Sequence, residues 1–508
     1  MSTKIAKVYS AQIVGLSGAI ISIETDVTTG LYSFIIVGLP DKSVEESRER
    51  VHAALKNSEL DSPKSRNHKL TVSLAPAEIR KEGAMFDVPI AISYLLAVDD
   101  IEGNFSDTIF VGELSLSGEL QPLRGALALA STAKRNGFKK IILPDQNKDE
   151  ASIVSGIEIY GAKNIKQIVE HLLGSKPIQK HESNNRIHTR VNYPDIGEIR
   201  GQLTAKRALQ IAAAGGHNIC MYGPPGTGKT MLAKAFTGIL PDLDEEESFE
   251  VTNIHSIAGQ TDTQIVQLPL RAPHHTSSYV SIIGGGSTPK SGEITLAHRG
   301  VLFLDELPEF ESKALESLRE PLEEGVVRIS RAKGSETFPS DFILVAAMNP
   351  CPCGYFGSKI KPCVCKSGEI ERYQKRISGP IIDRIDMWTF VQHLPYEELS
   401  KSSDAKESEN IKTKILLARE FAKNRLKANN IKNKLNKSLN TKDLSLVAKL
   451  GTTELDTLNT FAKQFSISPR SYHRVIRLAR TIADLEQSEQ IKNEHIIEAF
   501  QYRPKLSI

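Results

Sequence analysis

The feature that most constrains this 508-residue chain is the octapeptide at 223–230, Gly-Pro-Pro-Gly-Thr-Gly-Lys-Thr. The apolar run 218–222 before it predicts a buried strand, and the run 231–236 after it predicts the start of a helix. A G-x-x-x-x-G-K-[ST] sequence needs this strand–loop–helix setting to be a phosphate-binding loop and not a chance Gly-Pro turn. The glycines allow backbone N–H groups to point at phosphate oxygens beside the positive end of the helix. The chain is therefore expected to bind a nucleoside triphosphate.

The last two residues of the octapeptide carry the most specific expectations. Lys229 is expected to reach the β- and γ-phosphates, and the Thr230 hydroxyl is expected to ligate Mg²⁺. The predicted cofactors are ATP and Mg²⁺. The residues expected to contact the nucleotide are Gly223, Pro224, Pro225, Gly226, Thr227, Gly228, Lys229 and Thr230.

A short apolar run that ends in two carboxylates follows further along the chain. Residues 300–306 read Gly-Val-Leu-Phe-Leu-Asp-Glu, which is typical of a buried parallel strand. Because ligands bind at the carboxyl ends of strands in open α/β sheets, both acids are expected near the phosphate loop. Asp305 is predicted to hold Mg²⁺ through water, and Glu306 is predicted to polarise the attacking water as general base. The two motifs together predict ATP hydrolysis.

Bulk properties are those of an ordinary globular protein. The N-terminal residues contain no signal-peptide core, and no apolar run approaches the ~18 residues that suggest a membrane span. A cytoplasmic location without a membrane partner is expected. The net charge of +3 is too small to indicate nucleic-acid binding by itself, so the distribution of charge must carry that question.

The chain divides into three segments and a linker, which predict an α/β multidomain protein. Residues 1–174 mix strands with helices, and the polar stretch 175–190 predicts a linker. Residues 191–394 hold the nucleotide motifs, and residues 395–508 are predicted to be helical. The clearest predicted strands are 19–24 and 70–74, and the clearest predicted helices are 44–55, 126–136, 411–428 and 472–485.

The segment with the nucleotide motifs resembles an AAA+ ATPase of the magnesium-chelatase-like group. Asn349, at the end of the predicted strand 342–347, matches the polar sensor of that superfamily; a strand-ending Asn-Pro turn is the alternative. Arg384, in the pattern Ile-Ile-Asp-Arg-Ile, matches the arginine finger, with Arg376 as the second candidate. A finger acts on the nucleotide of a neighbouring subunit, so the resemblance implies a ring, expected to be a homohexamer.

The C-terminal segment is expected to form a helical lid or bundle. Ser468-Pro469-Arg470 opens a predicted helix, and Arg470 matches the second sensor of the superfamily, which lies over the nucleotide. Arg474 and Arg477 on the same predicted helix are alternatives. A surface position or a helix cap is the other interpretation of each arginine.

The N-terminal segment resembles the catalytic fold of Lon proteases without its chemistry. Lon-like proteases carry a serine in a G-P-S-A-G loop, whereas residues 82–87 here read Glu-Gly-Ala-Met-Phe-Asp. Leu127 and Leu129 stand at the expected positions of the lysine partner. A Ser–Lys dyad needs a hydroxyl and an amine, so the segment is predicted to be non-proteolytic. A structural role, in ring assembly or nucleic-acid contact, is expected.

The three segments together resemble the YifB/ComM family over essentially the whole chain. The resemblance implies a ring-forming ATPase that translocates on DNA and drives branch migration in recombination or natural transformation. A chelatase-type ATPase that remodels a protein partner is the alternative, and an ATP-dependent protease is disfavoured by the missing dyad.

Four of the five cysteines lie in two C-x-C pairs, formed by Cys351 with Cys353 and by Cys363 with Cys365. The intervening loop can bring four thiolates around a tetrahedral Zn²⁺. Structural zinc is the favoured interpretation, with ordinary thiols or a redox pair as the alternative.

Two regions are candidates for contact with DNA. Residues 324–334 predict a β-hairpin, in which Arg328, Arg331 and Lys333 could follow a phosphate backbone. The loop 268–290, with His274 and His275, resembles an insertion that lines the pore in related rings. The basic region 401–449 predicts equally well a solvated helix face.

Overall fold

Two units make up the chain in the computed structural model. The first unit holds residues 1–189 and 248–265, and the second holds 190–247 and 266–508. The described residues are 5–182, 188–286, 290–331, 334–358, 361–395, 397, 407–432 and 435–504.

The first unit is built on a seven-stranded mixed sheet. Antiparallel pairing joins its three longest strands, and the remaining neighbours are parallel. In sheet order the strands are Ser33–Val37, His68–Ala75, Ser17–Thr29, Ala6–Val14, Thr108–Phe110, Lys140–Pro144 and Glu158–Ala162. Two short pairs, Glu113–Leu114 with Leu120–Gln121 and His188–Thr189 with Gln264–Ile265, complete its strands.

The helices of the first unit begin at local caps and pack on apolar faces. Asp41 accepts a hydrogen bond from the Val44 N–H at 2.8 Å at the start of the first helix, and Asn164 caps the last helix of residues 1–182 in the same way. The α-helices are Lys42–Asn57, Asp87–Ala97, Ala126–Arg135, Lys148–Ala151 and Ile165–Leu172, with Glu245–Ile257 joining this unit from Ser248 onward. The strands predicted at 19–24 and 70–74 and the helices predicted at 44–55 and 126–136 are confirmed.

The side chains at and near the positions that would carry Lon-type chemistry are buried or hydrogen-bonded within the first unit. Asp87 is buried, and its carboxylate accepts hydrogen bonds from Arg50 Nε at 2.7 Å and from the Leu114 N–H at 3.1 Å. Leu127 and Leu129 are both fully buried in an apolar cluster. The Lon-like fold and the lack of proteolysis stay predictions.

The second unit contains a five-stranded parallel sheet. Its order is Leu270–Arg271, Val301–Leu304, Ile343–Met348, Ile219–Tyr222 and Met387–Phe390. The first strand in the sequence therefore lies between the fourth and the fifth, and ligands bind outside the carboxyl ends of strands where the order reverses in this way. The α/β multidomain class is confirmed. We call Ile219–Tyr222 the loop strand, Val301–Leu304 the acidic strand and Ile343–Met348 the sensor strand.

Helices surround this sheet, and an antiparallel hairpin of Val326–Arg331 with Gly334–Pro339 leads into the sensor strand. A further short strand pair is Gly284–Gly285 with Lys290–Ser291. The helices up to the last sheet strand are Leu203–Gly215, Lys229–Ile239, Tyr279–Ile283, Glu293–Leu296, Ser312–Ser317, Arg319–Glu324, Ser367–Gln374 and Gly379–Ile382.

In the described residues after the sheet there are five helices with given bounds, and they cover both segments in which apolar spacing predicts helix. In the helix Pro469–Leu485 the Ser468 hydroxyl accepts a hydrogen bond from the Ser471 N–H, with Pro469 in the first turn. Val475, Leu478, Ala479, Ile482 and Ala483 lie on its buried face at helical spacing. The other four are Glu407–Ala428, Thr441–Ala448, Thr452–Gln464 and Asn493–Gln501. Within the described ranges, no helix has the length and apolar character to cross a bilayer.

Candidate nucleotide site and cysteine cluster

The octapeptide follows the loop strand directly and ends in the helix Lys229–Ile239. Gly226 and Gly228 have φ angles of 74° and 89°, a region that favours glycine, and Gly228 precedes the first helical residue. The Lys229 ammonium donates to the carbonyl oxygens of Gly223 and Pro224, each at 2.8 Å. The ammonium therefore lies inside the loop, where phosphate oxygens are expected.

Lys229 also connects the loop to the sensor strand. Its Nζ lies 3.3 Å from Oδ1 of Asn349, the residue after that strand. Burial lowers the pKa of the Lys229 ammonium below its ordinary value, and the carboxylate of Asp305 offsets part of this effect. The predicted sensor and the predicted phosphate-binding lysine are thus in contact.

The two predicted Mg²⁺ ligands also meet. The Thr230 hydroxyl donates to Oδ2 of Asp305 at 2.8 Å, although the sensor strand separates the loop strand from the acidic strand in the sheet. A hydroxyl and a carboxylate are the hard oxygen ligands that Mg²⁺ prefers, together with phosphate oxygens and water. These residues therefore fit the predicted ion.

Glu306 follows Asp305 in a left-handed conformation, with a φ angle of 53°. This conformation is uncommon for a residue other than glycine and is often found at functional sites. Oε2 of Glu306 lies 3.4 Å from Nδ1 of His275. Sequence reasoning assigned His275 to a pore-lining loop, and the structure places its ring against the predicted general base. The pairing joins residues from different loops, so no local pattern predicts it.

The two arginines predicted to act on the nucleotide share one carboxylate. Nη2 of Arg384 lies 2.8 Å from Oε2 of Glu323, and the Arg470 guanidinium contacts the other oxygen of Glu323. Burial by itself would raise the pKa of Glu323, but the hydrogen bonds from these two arginines hold it below its usual range. Sequence reasoning did not identify Glu323, because an acidic helix residue is common and its partners come from distant elements.

The alternative arginines have separate partners. Arg376 contacts Glu309 at 2.7 Å on the surface. Arg474 donates to the Ile385 carbonyl oxygen at 3.2 Å and lies 3.4 Å from Asp386, while Arg477 donates to the Leu439 carbonyl oxygen at 2.7 Å. All three arginines of this helix thus have partners on other elements, and the assignment of Arg470 as the sensor stays a prediction.

A cavity of about 710 Å³ adjoins the start of the phosphate loop. It lies beside the loop strand and the strand Met387–Phe390, and Tyr222 and Phe390 form an aromatic pair with ring centroids 5.3 Å apart. Residues that line it include Gly201, Gln202, Tyr222, Trp388, Phe390 and Tyr502. An aromatic-lined space next to a phosphate loop has the chemistry to take a nucleobase.

The four clustered cysteines converge at the end of the sensor strand. The Sγ atoms of Cys351, Cys353 and Cys363 are 3.4 to 3.7 Å apart, and Cys365 completes a set within 4.8 Å. Tetrahedral zinc with Zn–S bonds of about 2.3 Å places its sulfurs roughly 3.8 Å apart. The cluster therefore fits a Zn²⁺ ion, and its cysteines are free thiols and not disulfides.

The candidate DNA contacts are only partly within the described residues. Arg328 lies on the predicted hairpin, and its guanidinium contacts Glu320 and Glu324, the latter at 2.7 Å. The side chain of Arg331 and all of Lys333 lie outside the described residues. In the basic region, Arg425 contacts the buried Asp484 and Lys437 contacts Asp341 at 2.9 Å. Both therefore have structural partners.

The sheet order, the phosphate loop and the acidic strand define a P-loop ATPase domain of the AAA+ class. Three family profiles match the chain: "Magnesium chelatase, subunit ChlI" at residues 195–399, "Subunit ChlI of Mg-chelatase" at 23–147, and "Magnesium chelatase, subunit ChlI C-terminal" at 405–503.

Similar proteins extend the match over nearly the whole chain. Competence protein ComM of Haemophilus influenzae is 40% identical over 513 residues, which cover 98% of this chain and 97% of that protein. The uncharacterized protein YifB of Escherichia coli is 38% identical over 500 residues, or 98% and 96% of the two chains. A magnesium-chelatase 67 kDa subunit of Chlorobaculum parvum is 28% identical over 162 residues, 30% of this chain and 23% of that protein. The chain belongs to the YifB/ComM family of magnesium-chelatase-like AAA+ ATPases.

Proposed function

We propose that the chain is a ring-forming ATPase that couples ATP hydrolysis to translocation on DNA, with branch migration in recombination or natural transformation as its task. The observation that carries the ATPase part is the meeting of Lys229 with Asn349 and of Thr230 with Asp305 at one edge of a parallel sheet. The DNA part is supported by whole-chain similarity to a protein named for competence.

In this proposal each side chain of the site has one task. The loop N–H groups and Lys229 bind the phosphates, and the cavity beside Tyr222 takes the base. Thr230 and Asp305 would hold Mg²⁺, which would neutralise phosphate charge when bound. Glu306 accepts the proton of the attacking water, with His275 fixing its carboxylate, and Asn349 orients the water or the γ-phosphate.

Arg384 and Arg470 connect the proposed mechanism to the assembly of several copies of the chain. Arg384 acts on the nucleotide of a neighbouring copy in a homohexamer, and Arg470 acts as the second sensor. In the chain described here both are bound to Glu323, so assembly and nucleotide binding exchange that carboxylate for phosphate oxygens.

Replacing Glu306 with glutamine is expected to lower the hydrolysis rate by roughly 10²- to 10⁴-fold, because the amide cannot accept the proton. ATP affinity should stay close to that of the wild type, since the phosphate ligands remain. Steady-state hydrolysis and equilibrium binding of a fluorescent ATP analogue measure the two effects. The exposed Glu311 provides a matched control as Glu311→Gln. An unchanged hydrolysis rate in Glu306→Gln would show that Glu306 is not the general base.

DNA is expected to raise the hydrolysis rate several-fold, and salt should abolish the effect because phosphate contacts release counterions. The measurement is ATP hydrolysis with single-stranded and four-way-junction DNA across a salt series. Arg328→Ala should reduce the stimulation without changing the rate in the absence of DNA. A rate that ignores every DNA but responds to a protein partner would favour the chelatase-type remodelling ATPase.

The four cluster cysteines hold one structural Zn²⁺ in this proposal. Purified wild-type protein is expected to contain about one zinc per chain, and the double variant Cys353→Ser/Cys365→Ser much less. Atomic emission measures the content. If both proteins contain the same amount of zinc, the metal is bound by residues other than these cysteines.

A further inference from the structure

Residues 351–358 and 361–365 carry the four clustered cysteines, and we call them the Cys knob. The Cys knob touches the phosphate loop at Gly354. A Cβ atom added at Gly354 would lie 2.7 Å from Cδ of Pro225, the third residue of the octapeptide. Such a distance is too short for two carbon atoms, so the backbone of the Cys knob is in close contact with the loop. Gly354 also has a φ angle of 83°, which favours glycine.

The same turn lies against the sensor residue. The nearest Asn349 atom, its Cγ, would be 3.8 Å from a Cβ at Gly354, and Asn349 in turn contacts Lys229. One glycine of the Cys knob therefore borders both the loop that binds phosphate and the side chain that contacts the loop lysine.

Hydrogen bonds within the Cys knob connect this turn to the sulfur cluster. The Gly354 N–H donates to the carbonyl oxygen of Cys351 at 2.9 Å, and the Cys353 N–H donates to Sγ of Cys365 at 3.4 Å. At its base, Gln374 donates to the carbonyl oxygen of Pro350 at 3.1 Å. The position of Gly354 is thus determined by residues on either side of it that supply sulfur ligands.

We infer that the Cys knob braces the phosphate loop, so that the metal held by its four thiolates keeps Pro225 and Asn349 where ATP binding requires them. Loss of the metal would allow the turn at Gly354 to move, and the contact with Pro225 would then be lost. The inference rests on the proposed function, in which the thiolates hold Zn²⁺ and the loop binds ATP.

Two glycines of the Cys knob form a matched pair for the test. Gly357 has a similar φ angle of 77°, but no heavy atom of the described residues would lie within 4 Å of a Cβ there. Gly354→Ala and Gly357→Ala therefore share the backbone strain, and only the first collides with the loop. Zinc content, affinity for a fluorescent ATP analogue and thermal unfolding are measured on full-length proteins.

All three proteins should contain about one zinc per chain, with ATP affinity roughly tenfold weaker in Gly354→Ala alone. Wild-type affinity in Gly354→Ala, or an equal loss in Gly357→Ala, would overturn the inference. If either variant fails to fold, a second experiment replaces this comparison. Zinc is then removed from the wild-type protein by a chelator in the presence of excess Mg²⁺. ATP affinity should then fall and return on addition of zinc, and unchanged affinity of the metal-free protein would overturn the brace.

The outcomes also separate the inference from the proposed function. If the wild-type protein contains zinc and binds ATP, and Gly354→Ala binds ATP equally well, only the inference of a brace is wrong. Wild-type protein without zinc would remove the zinc assignment and the brace but leave the proposed ATPase. Wild-type protein without affinity for ATP would remove the proposed function and the brace with it.

Discussion

Replacing Lys229 with alanine is expected to lower ATP hydrolysis by about 10²-fold or more, because the proposed mechanism uses its buried charge to bind the β- and γ-phosphates. The ammonium lies inside the loop, within 2.8 Å of two loop carbonyl oxygens and 3.3 Å of Asn349. Its loss removes a phosphate ligand in the proposed mechanism, and it also removes the contact that joins the loop to Asn349. ATP affinity should fall as well, since in this mechanism the lysine contacts phosphate before the reaction. Steady-state hydrolysis and equilibrium binding measure both effects.

Lys234 provides the matched control for this prediction. It lies on the same helix but is exposed to solvent, so Lys234→Ala removes the same charge without entering the loop. Wild-type rates are expected for this variant. Comparable losses in both variants would mean that helix charge, and not phosphate binding at the loop, sets the rate.

Arg384→Ala is expected to lower hydrolysis by roughly 10³-fold or more while ATP affinity changes little, because a finger stabilises charge that develops in the transition state. The side chain is only 8% exposed and pairs with Glu323 in the chain described here. A purely structural arginine of this kind would lower stability when removed, so the thermal unfolding temperature is measured beside the rate. The exposed Arg372, which donates to the Gly368 carbonyl oxygen at 3.1 Å, serves as the control Arg372→Ala.

Mixing the two inactive proteins tests whether Arg384 acts between subunits. An interface that joins the intact loop of Arg384→Ala to the intact arginine of Lys229→Ala has every required group. Mixed samples are therefore expected to regain hydrolysis that neither protein shows alone. A mixture that stays inactive while both variants still assemble would place Arg384 within its own subunit or in a structural role.

The contacts of Glu323 add a condition to this prediction. Glu323 contacts both Arg384 and Arg470 in this structure, so in the proposed mechanism each guanidinium shares or gives up this carboxylate when it binds a phosphate. Glu323 therefore competes with nucleotide for the two arginines in the proposed mechanism.

The elements near the phosphate loop were predictable because their signals are local. The apolar run before the octapeptide became the loop strand, and the run before Asp305 became the acidic strand, as their lengths and flanking residues indicate. The two C-x-C pairs likewise predicted a compact sulfur cluster, since each pair fixes two ligands by spacing alone. Residue roles in catalysis stay predictions at every one of these positions.

The sequence by itself determined the strand–loop–helix, the acidic strand, the cysteine cluster and the family. Tertiary structure alone decided that Glu323 pairs with two arginines, that His275 faces Glu306 and that Gly354 rests on Pro225. These contacts depend on the order of strands in the parallel sheet, which brings the sensor strand beside the loop strand. Apolar periodicity predicts each strand, but it does not predict which strands pair in the sheet. Strand order is decided by packing between residues that are far apart in the chain.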